Sequence, residues 1–172
     1  MSSQPREHNR TMKLFFASDH AGFALKQALV AYAESRGYTV DDLGAHSFDE
    51  TDDYPDVVTP CARKVAEENA HGSATHVFGV IVGASGQGEA MCANRVKGAR
   101  AAVFYGEPRR RQIDTAGVSL DIVTSIRAHN DANILSIGAR FVSEEEAIAA
   151  LQAFLEVPFS GDARHARRLA KF

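Results

Sequence analysis

This sequence predicts a single doubly wound α/β fold: one five-stranded parallel sheet, order 2-1-3-4-5, with helices on both faces. Three observations carry that expectation. Short apolar runs alternate along the chain with stretches whose apolar residues fall at helical spacing. One run, from Val77 to Val82, is almost continuously apolar, as suits a parallel strand buried on both sides. Strands separated by helices join through right-handed βαβ crossovers, which gather them into one parallel sheet. The 172 residues, 45% of them hydrophobic, suffice for one domain with a substantial core, and no internal repeat or low-complexity tract interrupts them.

The first strand is Leu14-Phe15-Phe16-Ala17. Leu25, Leu29 and Tyr32 follow at helical spacing, and Gly37 ends that helix with the positive φ a helix C-terminus favours. A weaker strand near Tyr38 to Leu43 and a loop lead to a helix starting near Pro55, with Val58, Cys61 and Val65 on one face. Val77 to Val82 is the third strand, followed by a helix from about Gly88 to Val96. Ala99 to Phe104 is the fourth. A long irregular or helical segment separates it from the fifth, Ile134 to Ile137. The last helix opens on the capping box Ser143-Glu144-Glu145-Glu146 and carries Ile148, Leu151 and Leu155. Five strands in this rhythm fit the flavodoxin-like order 2-1-3-4-5.

A formal net charge of −3, with 24% charged residues, gives no electrostatic reason to expect nucleic acid or an anionic membrane as partner. The longest apolar stretch is far too short to span a bilayer. Residues 1–11 hold no apolar run that would make a secretory signal. They read as a disordered extension ahead of one domain over residues 12–172, and Met12 is an alternative start. Cys61 and Cys92 make no disulfide framework, so a reducing cytoplasm is the expected compartment.

In a sheet of this kind ligands bind beyond the carboxyl ends of the strands, where the strand order reverses. That point lies between the first and third strands, so topology brings together Ser18-Asp19-His20-Ala21-Gly22 and Gly83-Ala84-Ser85-Gly86-Gln87-Gly88-Glu89. Gly86 and Gly88 let the backbone curl until successive N–H groups converge, a nest that suits a phosphate, a carboxylate or an enediolate oxygen. The loop is neither a P-loop, since no Lys-Ser/Thr follows, nor a dinucleotide fingerprint, since it reads G-x-x-G-x-G. A tight turn without ligand is the plain alternative. Glu89 falls in the first turn of the next helix, where an acid complements the helix dipole. Beside an oxyanion nest it also has the makings of a base for proton abstraction alpha to a carbonyl, chemistry that needs neither metal nor cofactor.

The remaining candidates divide. Cys61, on an apolar helix face, and Cys92, one turn beyond Glu89, read as packing residues. The seven histidines show no zinc-ligand spacing, and His71 and His76 fall at the amino end of the third strand. Arg109-Arg110-Arg111 follows Pro108 at what looks like a helix start and reads as a solvated face. His129-Asn130-Asp131-Ala132-Asn133 is dense in hydrogen-bonding groups and stands just before the fifth strand. Arg164 and Arg168 share a face if the tail is helical, and paired guanidiniums there suit a phosphate as well as they suit a helix end.

With these residues in view, the chain resembles the family of type B ribose-5-phosphate isomerases, which also holds galactose- and allose-phosphate isomerases. The likeness runs from Met12 almost to the C-terminus. It rests on Ser18 to Gly22, Asp53-Tyr54-Pro55, Gly83 to Glu89 with Ala93-Asn94-Arg95, His129-Asn130-Asp131, Gly138-Ala139-Arg140 and Gly161 to Arg168. The resemblance implies interconversion of ribose 5-phosphate and ribulose 5-phosphate by a homodimer or dimer of dimers, with a sugar phosphate as the small-molecule partner. It implies that Asp19 and His20 contact substrate, that Ala84, Ser85, Gly86, Gln87 and Gly88 form the anion hole, and that Ser85 binds a sugar hydroxyl. His129 would assist ring opening with Asn130 beside it, and Arg140, Arg164 and Arg168 would hold the phosphate. Some members carry a cysteine base at the end of the third strand; this chain has Gly83 there and matches the subtype whose base is a glutamate, here Glu89. It departs from many relatives in Ala84, where they have glycine, and in a longer stretch from Tyr105 to Arg127.

Because His129 precedes its strand and Glu89 follows one, the two stand at opposite ends of the sheet within one subunit. The expectation is therefore an active site shared between subunits. Two rivals remain: a six-carbon substrate such as allose or galactose 6-phosphate, and a non-catalytic phosphate- or nucleotide-binding module with Glu107 as its ribose-binding acid.

Overall fold

The computed structural model describes residues 12–71, 76–110, 112–114 and 117–172. The expectations for residues 1–11 and for Arg111 lie outside these. Elements follow in the order β1 (Met12–Ser18), α1 (Phe23–Ser35), β2 (Thr39–Asp42), α2 (Tyr54–Ala70), β3 (His76–Gly83), α3 (Gln87–Ala93) and β4 (Ala101–Phe104). Then come a small hairpin, β5 (Gln112–Ile113) and β6 (Ser119–Leu120), α4 (Ile122–Asn130), β7 (Ile134–Gly138), α5 (Glu144–Glu156) and α6 (Ala163–Leu169).

The main sheet is parallel and runs β2-β1-β3-β7-β4. The doubly wound class is as expected, but the last two strands exchange places relative to 2-1-3-4-5. Hydrophobicity explains the exchange. All five residues of β7 are buried, as a central strand requires, whereas three of the four in β4 are partly exposed. Edge strand β4 is blunted by Asn94, whose side chain both donates to the Ala101 carbonyl and accepts from its N–H, at 2.9 and 2.8 Å.

Alternation along the strands builds two cores. Leu14, Phe16, Val80, Val82, Leu135 and Ile137 pack against Leu29 of α1, Val123 and Ile126 of α4, and Leu151 and Phe154 of α5. Phe15, Ala17, Val77, Ile81 and Ile134 pack against Val58, Cys61, Ala62 and Val65 of α2 and Ala93 of α3. Lys26 is a charged residue in this largely apolar interior. Fully buried, it donates to both Asp42 oxygens at 2.6 and 2.7 Å and to the Ala45 carbonyl at 2.7 Å, pinning α1 to the end of β2.

Two local expectations change. Arg109 and Arg110 lie exposed in a bend rather than at a helix start, and the segment after Phe104 makes the antiparallel β5–β6 hairpin before α4 begins. The capping box forms at α5, Ser143 Oγ accepting from the Glu146 N–H at 3.2 Å, but α5 is followed by the further short helix α6. No helix among the described residues is long and apolar enough to cross a membrane.

Candidate active site

The carboxyl edge of the sheet is assembled around the β3–α3 loop. Gly86 takes the left-handed backbone, φ 73°, that turns the chain into α3. Its carbonyl is fixed from below by the buried Ser136 hydroxyl of β7, which donates to it at 2.6 Å. Ser85 Oγ accepts from the Gln87 N–H at 3.3 Å, and the Tyr54 hydroxyl stands over Gly88. The first-turn N–H groups of α3 have no partner inside the helix and face this edge.

Glu89 is 4% exposed, and its carboxylate lies directly over Gly83. A β-carbon at position 83 would meet its Oε1 at 1.7 Å. The glutamate therefore fills the space that any side chain at the end of β3 would occupy. A strand-end side chain and the Glu89 carboxylate in this position compete for the same space. Burial pushes the Glu89 carboxyl above its ordinary value, its own backbone N–H opposes that, and the negative charge of Asp19 adds to it.

Asp19 and His20 stand at the end of β1, as topology requires. Asp19 is 7% exposed, and its Oδ1 accepts from the N–H groups of Ala21 and Gly22 at 3.0 and 3.2 Å, shaping the turn into α1. The His20 ring is held through Nδ1 by Asp52 Oδ1 at 2.6 Å, and the same oxygen accepts from the His20 backbone N–H at 3.0 Å. Phe48 meets the ring edge-on at 6.2 Å between centroids. The Asp52 hydrogen bond raises the His20 pKa, burial opposes it, and the charges of Asp19 and Asp52 add to the rise. Arg140 belongs to this edge because β7 neighbours β3. Ala139 and Arg140 donate their N–H groups to the carbonyls of Gly83 and Ala84 at 2.8 and 3.1 Å, and the Arg140 charge reaches His20. Glu107, one strand further out, lines a separate small cavity with Asp121 and Glu146.

The other predicted residues gather at the amino edge. His129 and Asn130 end α4, ahead of β7, and α6 packs against α4. The His129 and His165 rings stand 4.3 Å apart, and Ser160 Oγ lies 3.2 Å from His165 Nδ1. The tail is helical, so Arg164 and Arg168 fall one turn apart on α6. Burial lowers the His165 pKa, the charges of His129, Arg164 and Arg168 lower it further, and that of Asp162 opposes them. Asn130 is exposed and donates to the Ser125 carbonyl at 3.3 Å. Along β7 alone the two edges are separated by about 13 Å. The chain thus places the predicted residues in two groups, Asp19, His20, Ala84 to Glu89 and Arg140 at one edge and His129, Asn130, Arg164 and Arg168 at the other.

Sequence reasoning missed Asp52, Ser136 and His165. A lone serine inside the apolar run Ile134 to Ile137 was the one available signal, since a hydroxyl there must find a buried partner.

The model of the family described as ribose/galactose isomerase matches residues 14–172. The chain is 36% identical over 159 residues to ribose-5-phosphate isomerase B of Mycolicibacterium paratuberculosis, covering 92% of this chain and 87% of that relative. Its fold matches the crystal structure of ribose-5-phosphate isomerase B from Mycoplasma genitalium with bound ribulose-5-phosphate, with a TM-score of 0.78, 32% identity and 94% of each chain covered. The type B ribose 5-phosphate isomerase of Trypanosoma brucei matches with a TM-score of 0.75 at 31% identity, over 93% of this chain and 95% of that one.

Proposed function

The chain belongs to the ribose/galactose isomerase family and is an isomerase of ribose 5-phosphate and ribulose 5-phosphate; we propose that it works through an enediol, without a metal or cofactor, at a site completed by a second copy of itself. In this reading residues 12–172 act as one isomerase domain, and two free cysteines, one of them buried with its thiol pushed up to about 12, suit a reducing cytoplasm.

The observation that carries the mechanism is the seat of Glu89. A carboxylate with a raised pKa, held in the first turn of α3 where the helix N–H groups have no partner within the helix, is fitted to take a proton from carbon and let the electron pair move onto oxygen. His129 assists opening of the furanose. Glu89 then removes the C2 proton of the open aldose, the C1–C2 double bond forms, and amides of Ala84 to Gly88 stabilise the enediolate oxygen. Transfer of the O2 proton to O1 and delivery of the proton from Glu89 to C1 give the ketose. Ser85, Asp19 and Asn130 bind hydroxyls, while His20, Arg140, Arg164 and Arg168 neutralise the phosphate.

The two groups are half-sites that meet only across subunits, as in a homodimer or a dimer of dimers. Mixing subunits tests this. Glu89→Gln and His129→Asn are each expected to be nearly inactive alone. After co-refolding, each mixed dimer regains one intact site, so total activity should return to about a quarter of wild type. Failure of the mixture to recover activity means both groups act within one chain.

A further inference from the structure

The end of α4, which carries His129 and Asn130, is held by three charged side chains that no step above uses. Asp131, the next residue, adopts the left-handed conformation with φ 44°, which few residues other than glycine take readily. Its carboxylate lies between two guanidiniums: Arg100 Nη2 donates to Oδ2 at 2.8 Å and Arg127 Nη1 to Oδ1 at 3.1 Å. The same two arginines grip the main chain. Arg100 Nε donates to the Asp131 carbonyl at 2.7 Å, and Arg127 Nη1 to the Ala132 carbonyl at 2.6 Å.

Each arginine is anchored elsewhere. Arg127 is 6% exposed, with its guanidinium 5.0 and 5.4 Å from the Phe78 and Phe154 ring centres, so it ties the helix end to the core. Arg100 precedes edge strand β4, and its N–H donates to Asn133 Oδ1 at 2.7 Å. Clefts flank this corner. A cavity of about 440 Å³ is lined by Arg127, Asp131 and Asn133, and another of about 410 Å³ by Arg100, Asn130 and Ala132. With space beside it, the helix end depends on these hydrogen bonds for its direction.

We propose that Arg100, Asp131 and Arg127 are positioning residues that aim His129 at the neighbouring subunit's substrate. The inference rests on the role given to His129 above, and a double-mutant cycle separates the two. Asp131→Asn keeps the side chain's shape and removes its charge. If the brace acts through His129, this variant lowers kcat for ribose 5-phosphate by about ten-fold or more. The KM should move less than about two-fold, because Arg164 and Arg168 lie on α6. Adding Asp131→Asn to His129→Asn should then cost nothing further in kcat. Losses that multiply would show a general structural brace and overturn the proposal, as would wild-type kcat in Asp131→Asn. Wild-type kcat in His129→Asn would overturn the His129 reading instead. Arg100→Gln, at a side chain 30% exposed, cuts the brace without disturbing the buried cation and supports the same cycle if Asp131→Asn does not fold.

Discussion

The two edges of the sheet handle charge in opposite ways. At the carboxyl edge the carboxylates of Glu89 and Asp19 are buried, at 4% and 7% exposure, and Glu89 is pressed against Gly83 at the end of β3. At the amino edge the charges are side chains on two short helix ends, and Arg168 is exposed. On the proposed assignment this division has a physical sense. A group that must exchange a proton with carbon gains from burial, which moves its pKa toward the working pH. Groups that only hold a phosphate gain from staying hydrated until the ligand arrives, since burying unpaired cations is costly.

The largest expected effect is at the buried edge. Glu89→Gln should lower kcat by about 10²–10⁴-fold while KM stays within about three-fold, measured in a coupled isomerase assay. In the wild type the acid limb of kcat/KM should sit above the ordinary carboxylate value of about 4.3, because protonating a carboxyl with a raised pKa removes the base. Stability moves the other way. A raised pKa in the folded state stabilises the protein at acid pH, and that contribution is lost as pH rises through the folded value. Glu89→Gln should therefore melt above wild type at about pH 8, with the difference closing toward about pH 4. A gap that widened toward acid would contradict the raised pKa.

Gly83→Ala tests the seat of that carboxylate without removing it. The added methyl meets Oε1 at 1.7 Å, and the flexible end of Glu89, rather than the backbone, is what must yield. A displacement on this scale should cost about ten- to a hundred-fold in kcat, with little change in Tm. Unchanged kcat would mean that the base need not stand where the structure puts it.

The two edges were also unequally legible in the sequence. Continuous apolar runs revealed β1, β3 and β7, and the glycines of the β3–α3 loop stood out because few other functions require them. The order of the last strands did not follow from their rhythm, which fixes which segments are strands but not which is central. The information was in their composition: Ile134 to Gly138 is buried throughout and Ala101 to Phe104 is not. That one exchange carries Arg140 next to Gly83 and Ala84 and leaves Glu107 a strand away, which weakens the nucleotide-binding alternative. Asp52 was illegible for a different reason, and Asp131 was visible only as one of several hydrogen-bonding groups beside His129. A polar residue in a loop acquires meaning only through its partner, and His20 and Asp52 are 32 positions apart. The β5–β6 hairpin has strands of two residues each, too short to show alternation.

At the exposed edge, Arg168→Ala should act on binding. Loss of one charge-assisted contact to phosphate should raise KM about ten-fold and change kcat less. Added salt should raise KM more in the wild type than in the variant, because only the wild type has that charge to screen. A selective fall in kcat would place Arg168 in the chemical step rather than the clamp.

The smallest effect asks whether the buried edge also contributes a phosphate cation. Hydrogen bonding to Asp52 keeps the His20 imidazole protonated above its ordinary value near 6.5. Asp52→Asn retains an oxygen to accept the His20 backbone N–H but loses the charge, so the imidazole should lose its proton at lower pH. Below both pKa values His20 is a cation in either protein, and above both it is neutral in either. Between them only the wild type presents a charge to phosphate, so the ratio of variant to wild-type KM should peak there at about three-fold. The substrate's own phosphate titration affects both proteins alike and cancels in the ratio. A ratio that stays flat across pH would leave Asp52 holding the ring's orientation alone, and the phosphate cations would then be Arg140 at this edge and the two α6 arginines at the other.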